Sequence, residues 1–298
     1  MHSVLFDPKL DDAGRRQQIY DGQLVIYSPT PSSLALVKLA RTLIEDAFGT
    51  LDPETAQYNI SVEDYAALLA KLKPAFIHHP EAKSCIQSIL RDLAFDLGET
   101  YFDVPRMRTA TSDDYLTSGI AYAFHPHRDT WYSAPQCQIN WWMPIYEIES
   151  GRAMAFHPRY WTQPVANSSR TYNYAEWNRT SRFAAATQIG KDTRVQPRAE
   201  EPMEIEPQLR VICPVGGIVL FSAAHMHSTV PNNTGRTRFS IDFRTVDLRD
   251  ARNRRGAPNI DSQCTGTTMN DYLRGTDLSH LPADVIEMYD TTPHEATA

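Results

Sequence analysis

The stretch GGIVLFSAAHMHSTVPNNTGRTRFSIDFR, from Gly216 to Arg244, decides how this chain is expected to fold. Two glycines open it, and the apolar run at 218–221 is typical of a buried strand. The segment at 224–230 has strand character and carries His225 and His227. A turn sequence, PNNTG at 231–235, separates it from a final strand at 237–244. We therefore expect three consecutive strands in this stretch.

The final strand alternates charged and apolar residues. One face carries Arg236, Arg238, Ser240, Asp242 and Arg244, and the other carries Phe239, Ile241 and Phe243. Buried charge is unfavourable unless another group pairs with it. A bound dicarboxylate would pair with these arginines, because the planar guanidinium matches a carboxylate.

Most of the chain after Tyr101 has the same β character. Short runs with strand composition, separated by turn residues and by no helical pattern, occur at 104–111, 119–127, 137–148, 153–158 and 209–215. With the strands already described, they predict an antiparallel sandwich or barrel. The fold class is therefore mainly β with flanking helices.

The rest of the chain supports one domain spanning residues 1–298. Helical patterns at 28–49, 61–72 and 81–98 make residues 1–100 a helical support. Residues 101–250 form the β core, and the polar, aromatic-bearing stretch at 159–208 interrupts it as a lid-like insertion. Residues 251–298 are an irregular C-terminal tail.

Composition excludes several classes of partner. The 298 residues include 29 Lys and Arg against 36 Asp and Glu, a net charge of −7, which disfavours nucleic acid and anionic membranes. The sequence shows no signal peptide and no apolar run long enough for a membrane span. The four widely spaced cysteines read as reduced thiols. We expect a cytoplasmic protein that acts on a small molecule, in an oligomeric state that stays open.

The segment FHPHRDTWYS at 124–133 offers metal ligands. His127 and Asp129 are two residues apart, so both side chains can lie on one side of a strand end. His79 and Glu81 have the same spacing, but they begin a predicted helix, where Glu81 is favoured for electrostatic reasons alone. Two histidines and one carboxylate that leave coordination positions open form the site typical of non-haem Fe(II).

The motifs HRD at 127–129 and HSTVPNNTGRTRFS at 227–240, with NWWMPIYEIESGRAMAFHPRYW at 140–161 between them, resemble those of a known family. This chain is similar to the Fe(II)/2-oxoglutarate-dependent dioxygenase superfamily, within it to the phytanoyl-CoA dioxygenase-like branch. The resemblance covers roughly residues 104–246. It implies a double-stranded β-helix, the jelly-roll core of cupin-like proteins.

The resemblance also implies a site. His127, Asp129 and His227 would bind iron, Arg238 would bind the distal carboxylate of 2-oxoglutarate, and Ser240 would support it. The cofactors would be Fe(II), 2-oxoglutarate as cosubstrate, and O2. The reaction would couple decarboxylation of 2-oxoglutarate, to succinate and CO2, to hydroxylation or a related C–H oxidation. His225 stays an alternative to His227, since the two share a predicted strand face.

Weaker expectations concern the surroundings of the metal. Gln138 and Asn140 alternate on one strand face and are candidates for cosubstrate binding. The candidate substrate-binding residues are Trp131, Tyr132, Arg159 and Tyr174, and no catalytic residue is expected beyond the metal ligands. The substrate would be a small organic molecule, in our reading a specialised metabolite. Two other functions fit the same residues, namely a cupin-type metal enzyme without 2-oxoglutarate and a non-catalytic jelly-roll binding module.

Overall fold

A computed structural model describes residues 3–292 and shows two β-sheets with helices. The strands are β1 (Val4–Phe6), β2 (Leu24–Tyr27), β3 (Thr100–Phe102), β4 (Arg106–Ala110), β5 (Ile139–Pro144), β6 (Met154–Phe156), β7 (Leu209–Val211), β8 (Ile218–Ser222), β9 (His227–Thr229), β10 (Arg238–Asp247) and β11 (Leu273–Arg274). The helices are α1 (Asp12–Tyr20), α2 (Pro31–Phe48), α3 (Val62–Ile77), α4 (Pro80–Asp92), α5 (Tyr174–Thr180), α6 (Leu248–Arg252) and α7 (Ala283–Tyr289). The β-rich class expected from the sequence is confirmed.

The larger sheet has the order β1-β2-β8-β5-β10-β3-β11, and β4 also pairs with β10. Its long strand β10 has β5 on one side and β3 and β4 on the other, all antiparallel. The register sets Ser240 opposite Arg108 and Pro144, and Arg244 opposite Asn140. Directly paired residues share a face, so the polar side chains of β4, β5 and β10 lie together.

The smaller sheet has the order β7-β6-β9 and covers one face of the larger. An apolar layer that includes Trp142, Phe156, Val219 and Phe221 fills the space between the sheets. The opposite face of the larger sheet carries Trp141, Phe239 and Phe243, which pack with helices α2, α3 and α4 into the main core. The polar face of β10 is therefore the face between the two sheets.

The helices of the head begin where the sequence indicates. Thr30 caps α2 in a reciprocal pair with Ser33, and Ser61 caps α3 by accepting the backbone N–H of Asp64. Helix α4 ends at Asp92 and not near Gly98, because Ala94 takes a positive φ of 55° and the Phe95 N–H bonds to the Leu90 carbonyl. Leu93 and Leu97, near the end of the helix predicted at 81–98, therefore lie outside α4.

Four other expectations are corrected. The head is not only helical, because β1 and β2 belong to the larger sheet, with β2 paired to β8. Residues 119–127 form no strand: a 3-10 turn covers Gly119–Ala121, Pro126 lacks a backbone donor, and His127 alone makes an isolated bridge. His225 precedes β9 and lies in a turn after β8. The C-terminal region is also more ordered than expected, since β11 pairs with β3.

None of the helices in the described range 3–292 is both long enough and apolar enough to cross a bilayer. The four cysteines, Cys85, Cys137, Cys213 and Cys264, are free thiols.

Candidate metal centre

His127 and His227 are brought together by their backbones. The His127 N–H donates to the His227 carbonyl at 3.0 Å, and the His227 N–H donates to the His127 carbonyl at 2.9 Å. Residues that exchange both hydrogen bonds stand directly opposite each other with side chains on one face. Their imidazole centroids are 4.3 Å apart. Two positions a hundred residues apart in sequence thus form one pair.

A backbone carbonyl fixes the orientation of each imidazole. Nδ1 of His127 lies 2.8 Å from the His125 carbonyl oxygen, and Nδ1 of His227 lies 2.9 Å from the His225 carbonyl oxygen. A carbonyl can only accept, so each Nδ1 carries a proton, which in a neutral imidazole leaves the lone pair on Nε2. This is the tautomer that a metal ligand needs, with the outer nitrogen held by a hydrogen bond.

Asp129 completes the group. Its Oδ1 lies 3.5 Å from Nε2 of His127 and 3.8 Å from Nε2 of His227. One ligand atom from each of the three residues lies within 4.8 Å of the others. Two imidazole nitrogens and a carboxylate oxygen suit a transition metal and leave coordination positions open. The chain therefore carries a triad that can bind a metal.

The electrostatics favour ligands in their metal-binding forms. Burial raises the pKa of Asp129, but the hydrogen bond with His127 and the neighbouring His227 and Arg244 outweigh it and hold that pKa well below its usual range. Burial and the nearby His127 lower the pKa of His227 to about 3. Near neutral pH the site thus offers a carboxylate and a neutral imidazole, the forms that bind metals.

His225 has other partners. Its Nδ1 accepts the backbone N–H of Ser222 at 3.2 Å, and its Nε2 lies 3.2 Å from the Gly22 carbonyl. Both ring nitrogens are thus used to join the turn after β8 to the chain before β2. The group that the structure brings together contains His227 and not His225.

Gln138 contacts the triad directly. Its Nε2 donates to Asp129 Oδ2 at 3.3 Å and to Asn140 Oδ1 at 2.7 Å, and its Oε1 accepts from the Tyr272 hydroxyl at 2.7 Å. Oδ2 of Asp129 is thereby held and Oδ1 faces the histidines. The Asn140 amide nitrogen is buried with no partner among the described residues.

Arg238 and Ser240 have unused hydrogen-bonding capacity. Nη1 of Arg238 donates to the carbonyls of Arg152 and Ala153 at 3.3 and 3.0 Å, while its Nε is buried without a partner in the described structure. The same holds for the Ser240 hydroxyl. Burial lowers the pKa of Arg238 to about 10. Buried polar groups are normally satisfied, so these atoms indicate a ligand.

The two aromatic candidates that follow Asp129, Trp131 and Tyr132, have different surroundings. Tyr132 sets its ring 5.5 Å from that of His127, and Phe124 stacks on the other side of His127 at 5.0 Å. Tyr172, from the 159–208 insertion, contacts Tyr132 at 5.4 Å. Trp131 is fully buried and its indole N–H donates to Asp261 at 2.6 Å, so it supports the segment at 127–132, the metal loop.

Two further candidates are not at the triad. Arg159 is exposed and forms an ion pair with Glu204. Tyr174 begins α5 and donates to Asp271. The expected substrate contacts of Trp131, Arg159 and Tyr174 stay predictions.

A network of ion pairs lies beside the triad. Arg108 binds Asp242 with two hydrogen bonds of 2.7 and 3.1 Å. Arg244 contacts Asp103 at 3.2 Å, Asp242 at 3.5 Å and Asp129 at 3.9 Å. The alternation on β10 predicts charge on this face, but its partners come from β4 and the loop before it.

Comparison with known proteins gives no family model that matches and no curated protein that matches. Among solved structures, EvdO2 from Micromonospora carbonacea var. aurantiaca, also solved with 2-oxoglutarate, is 13% identical, with 80% of this chain and 92% of that chain covered and a TM-score of 0.45. The epimerase SnoN, in complex with Fe3+, α-ketoglutarate and nogalamycin RO, is 16% identical over 79% of this chain and 85% of that chain, with a TM-score of 0.40. The non-haem monooxygenase ThoJ is 12% identical over 88% of this chain and 85% of that chain, also at 0.40.

These neighbours are proteins whose structures contain iron or 2-oxoglutarate or whose names describe non-haem chemistry. The identities are at most 16% and the TM-scores stay below 0.5, which is too low to transfer a reaction. The function must be argued from the site itself.

Proposed function

We propose that this protein is a non-haem Fe(II)/2-oxoglutarate oxygenase that hydroxylates, or otherwise oxidises at a C–H bond, a small organic substrate. The observation that carries the proposal is the convergence of two Nε2 atoms and Asp129 Oδ1, with each Nδ1 turned to a carbonyl. His127, Asp129 and His227 would hold the iron. The donor set fits Fe(II), which takes a facial arrangement of two histidines and a carboxylate.

The cosubstrate would bind between the sheets. Arg238 and Ser240 would take the distal carboxylate of 2-oxoglutarate, and their buried, partnerless Nε and hydroxyl support this assignment. Asn140, whose amide nitrogen is likewise unpartnered, would donate to the cosubstrate. Gln138 is better placed to orient Asp129 than to bind 2-oxoglutarate, because its amide nitrogen is used by Asp129 and Asn140.

Iron bound there, with 2-oxoglutarate and O2, would supply oxidative decarboxylation of 2-oxoglutarate to succinate and CO2, coupled to oxidation of a substrate C–H bond. The chain's own contribution is to position the reacting groups and to exclude water from the site. Gln138 and Arg244 fix the second oxygen of Asp129, and the rings of Phe124 and Tyr132 cover His127. Tyr132 and Tyr174 would lie along the substrate's approach.

The finer features of the resemblance belong to the same proposal. The sheet of β8, β5, β10 and β4 facing the sheet of β7, β6 and β9 has the two-layer form that a jelly roll requires. We propose that the chain belongs to the phytanoyl-CoA dioxygenase-like branch. It would be a single-domain cytoplasmic protein whose substrate is a specialised metabolite. The segment at 159–208 would cover the site, as its Tyr172 already touches Tyr132.

Anaerobic addition of Fe(II) and 2-oxoglutarate tests the proposal. The expected result is the weak visible charge-transfer band of the iron chelate, in one-to-one stoichiometry with protein, and its absence from the Asp129→Ala variant. A protein that binds one equivalent of iron but gives no band would support a metal enzyme without 2-oxoglutarate. A protein that retains no transition metal would support a binding module.

A further inference from the structure

The polar face of β4 and β10 carries more positive than negative charge. Three guanidinium groups, those of Arg106, Arg108 and Arg244, share the two carboxylates of Asp103 and Asp242. All three arginine side chains are partly exposed, at 18, 33 and 20%. Apart from Asp129, which belongs to the triad, the network therefore has one cation in excess.

Lys73 adds a further cation from α3. Its Nζ donates to the Ile120 carbonyl, and no carboxylate in the described structure lies within ion-pair distance of it. Burial first, and then the nearby charge of Arg108, lower the pKa of Lys73 to about 7, against a smaller opposing effect of Asp242. Two neighbouring cations destabilise each other in a low-dielectric site, and an anion bound between them removes that repulsion.

Arg108 has one guanidinium nitrogen without a hydrogen bond in the described structure. Its Nε and Nη2 are used by Asp242, and its Nη1 has no partner among the described residues. Its Cζ lies 5.5 Å from the centroid of the Phe124 ring, which itself stacks 5.0 Å from the ring of His127. Arg108 is thus one aromatic ring away from a candidate metal ligand.

The side chains packed around His127 are largely aromatic. Tyr122 packs edge-on against Phe124 at 4.9 Å, and Tyr172 packs against Tyr132 at 5.4 Å. Aromatic rings favour stacked or edge-on contact with other flat groups. A compound bound here would meet cations at one end and aromatic faces along its body.

We propose that the substrate is a small organic acid with a flat, apolar body, whose carboxylate binds Arg108 and Lys73 while its body lies against Phe124 and Tyr132. The inference rests on the proposed function, since it takes the space beside the triad as the substrate site. It assigns Arg108 and Lys73 to substrate specificity and leaves Arg238 to 2-oxoglutarate. The register sets Arg108 opposite Ser240 and Arg238 opposite Ala110, so the two arginines are diagonal neighbours on one face of the sheet.

Calorimetric titration of the purified full chain tests this with defined probes: benzoate, phenylacetate and trans-cinnamate, each beside its neutral amide. At least one acid should bind about tenfold or more tightly than its amide. Arg108→Gln and Lys73→Met should each weaken acid binding by about fivefold or more and leave amide binding unchanged. Arg170→Gln, which removes an exposed arginine paired with Glu200, is the matched control and should change neither.

Several outcomes would overturn the proposal. These are no binding of any acid, equal binding of acid and amide, or acid binding that is lost in Arg238→Gln and kept in Arg108→Gln. Lys73→Met leaves Asp242 paired, so it tests the site even where Arg108→Gln fails to fold. The iron chelate band is measured separately: a band without acid preference refutes the substrate class alone, and acid binding without a band refutes the oxygenase alone.

Discussion

Arg128 and Asp261 form a buried ion pair that joins four segments of the chain at the metal loop. Nε of Arg128 lies 3.1 Å from both carboxylate oxygens, and the two side chains are 0 and 5% exposed. Arg128 also donates to the carbonyls of Ala224, Tyr160 and Gln163. Asp261 also accepts from Trp131 and from the backbone of Val165. The residue between two candidate ligands is thereby tied to the insertion and the tail.

Removal of one partner should therefore destabilise the protein strongly. Arg128→Met leaves the Asp261 carboxylate buried without its cation, and such a loss costs about 3–5 kcal/mol in free energy of unfolding. Arg170→Met removes an exposed arginine, 52% accessible, and should leave the free energy of unfolding nearly unchanged. Urea denaturation measures both. Equal, small losses in the two variants would show that the Arg128 pair does not hold the loop.

The choice of distal histidine can be tested by metal binding. His227→Ala should reduce Zn(II) affinity by about 100-fold or more, because it removes one of three converging ligands. His225→Ala should keep Zn(II) affinity within about threefold, while losing about 1–3 kcal/mol of stability through its hydrogen bonds to Ser222 and Gly22. Competition with a chromophoric chelator measures affinity. The reverse pattern would assign the metal to His225.

Sequence reasoning identified the three residues of the triad because each carries a signal in its own neighbouring residues. His127 and Asp129 are two residues apart, and His227 is followed by a turn and an arginine-bearing strand that can be recognised from the residues alone. Alternation on β10 likewise predicted the polar face, whose ion pairs the structure contains. These signals depend on neighbours in sequence, so they can be recognised without knowledge of the tertiary fold.

The supporting residues could not be predicted in this way. Asp261 lies 133 residues from Arg128, in a segment without periodicity, and nothing distinguishes it from the other acidic residues. Residues 119–127 alternate like a strand, yet Pro126 and contacts with the insertion leave Phe124 free to stack on His127. The short strands β1 and β2 precede a helical region and gain their stability from β8, a tertiary effect.

Lys73 should make stability depend on pH. Its folded-state pKa is about 7 and its unfolded-state value is that of a free lysine, 10.5, so between these values the unfolded chain binds more protons. Stability therefore rises as pH increases from 7, and the lysine's penalty is fully present below that pH. Relative to Lys73→Met, the wild-type protein should gain up to about 1 kcal/mol per pH unit between pH 7 and 9. If urea denaturation gave the same pH dependence of stability for the wild-type protein and for Lys73→Met, this would contradict a buried Lys73 next to another cation.

Arg238 should contribute to cosubstrate binding and not to stability. The structure gives its buried guanidinium two carbonyl partners and no carboxylate within ion-pair distance among the described residues. Arg238→Met keeps the side-chain volume and removes a buried, uncompensated charge, so the free energy of unfolding should stay the same or rise. The dissociation constant of 2-oxoglutarate, titrated anaerobically through the iron chelate band, should rise about 10- to 100-fold, because a charge-assisted hydrogen bond is lost. Zn(II) affinity should not change.

Arg236→Met, two residues earlier and 48% exposed, is the control and should alter none of these quantities. A large loss of stability with unchanged 2-oxoglutarate binding would mean that Arg238 is a structural residue that braces the carbonyls of Arg152 and Ala153.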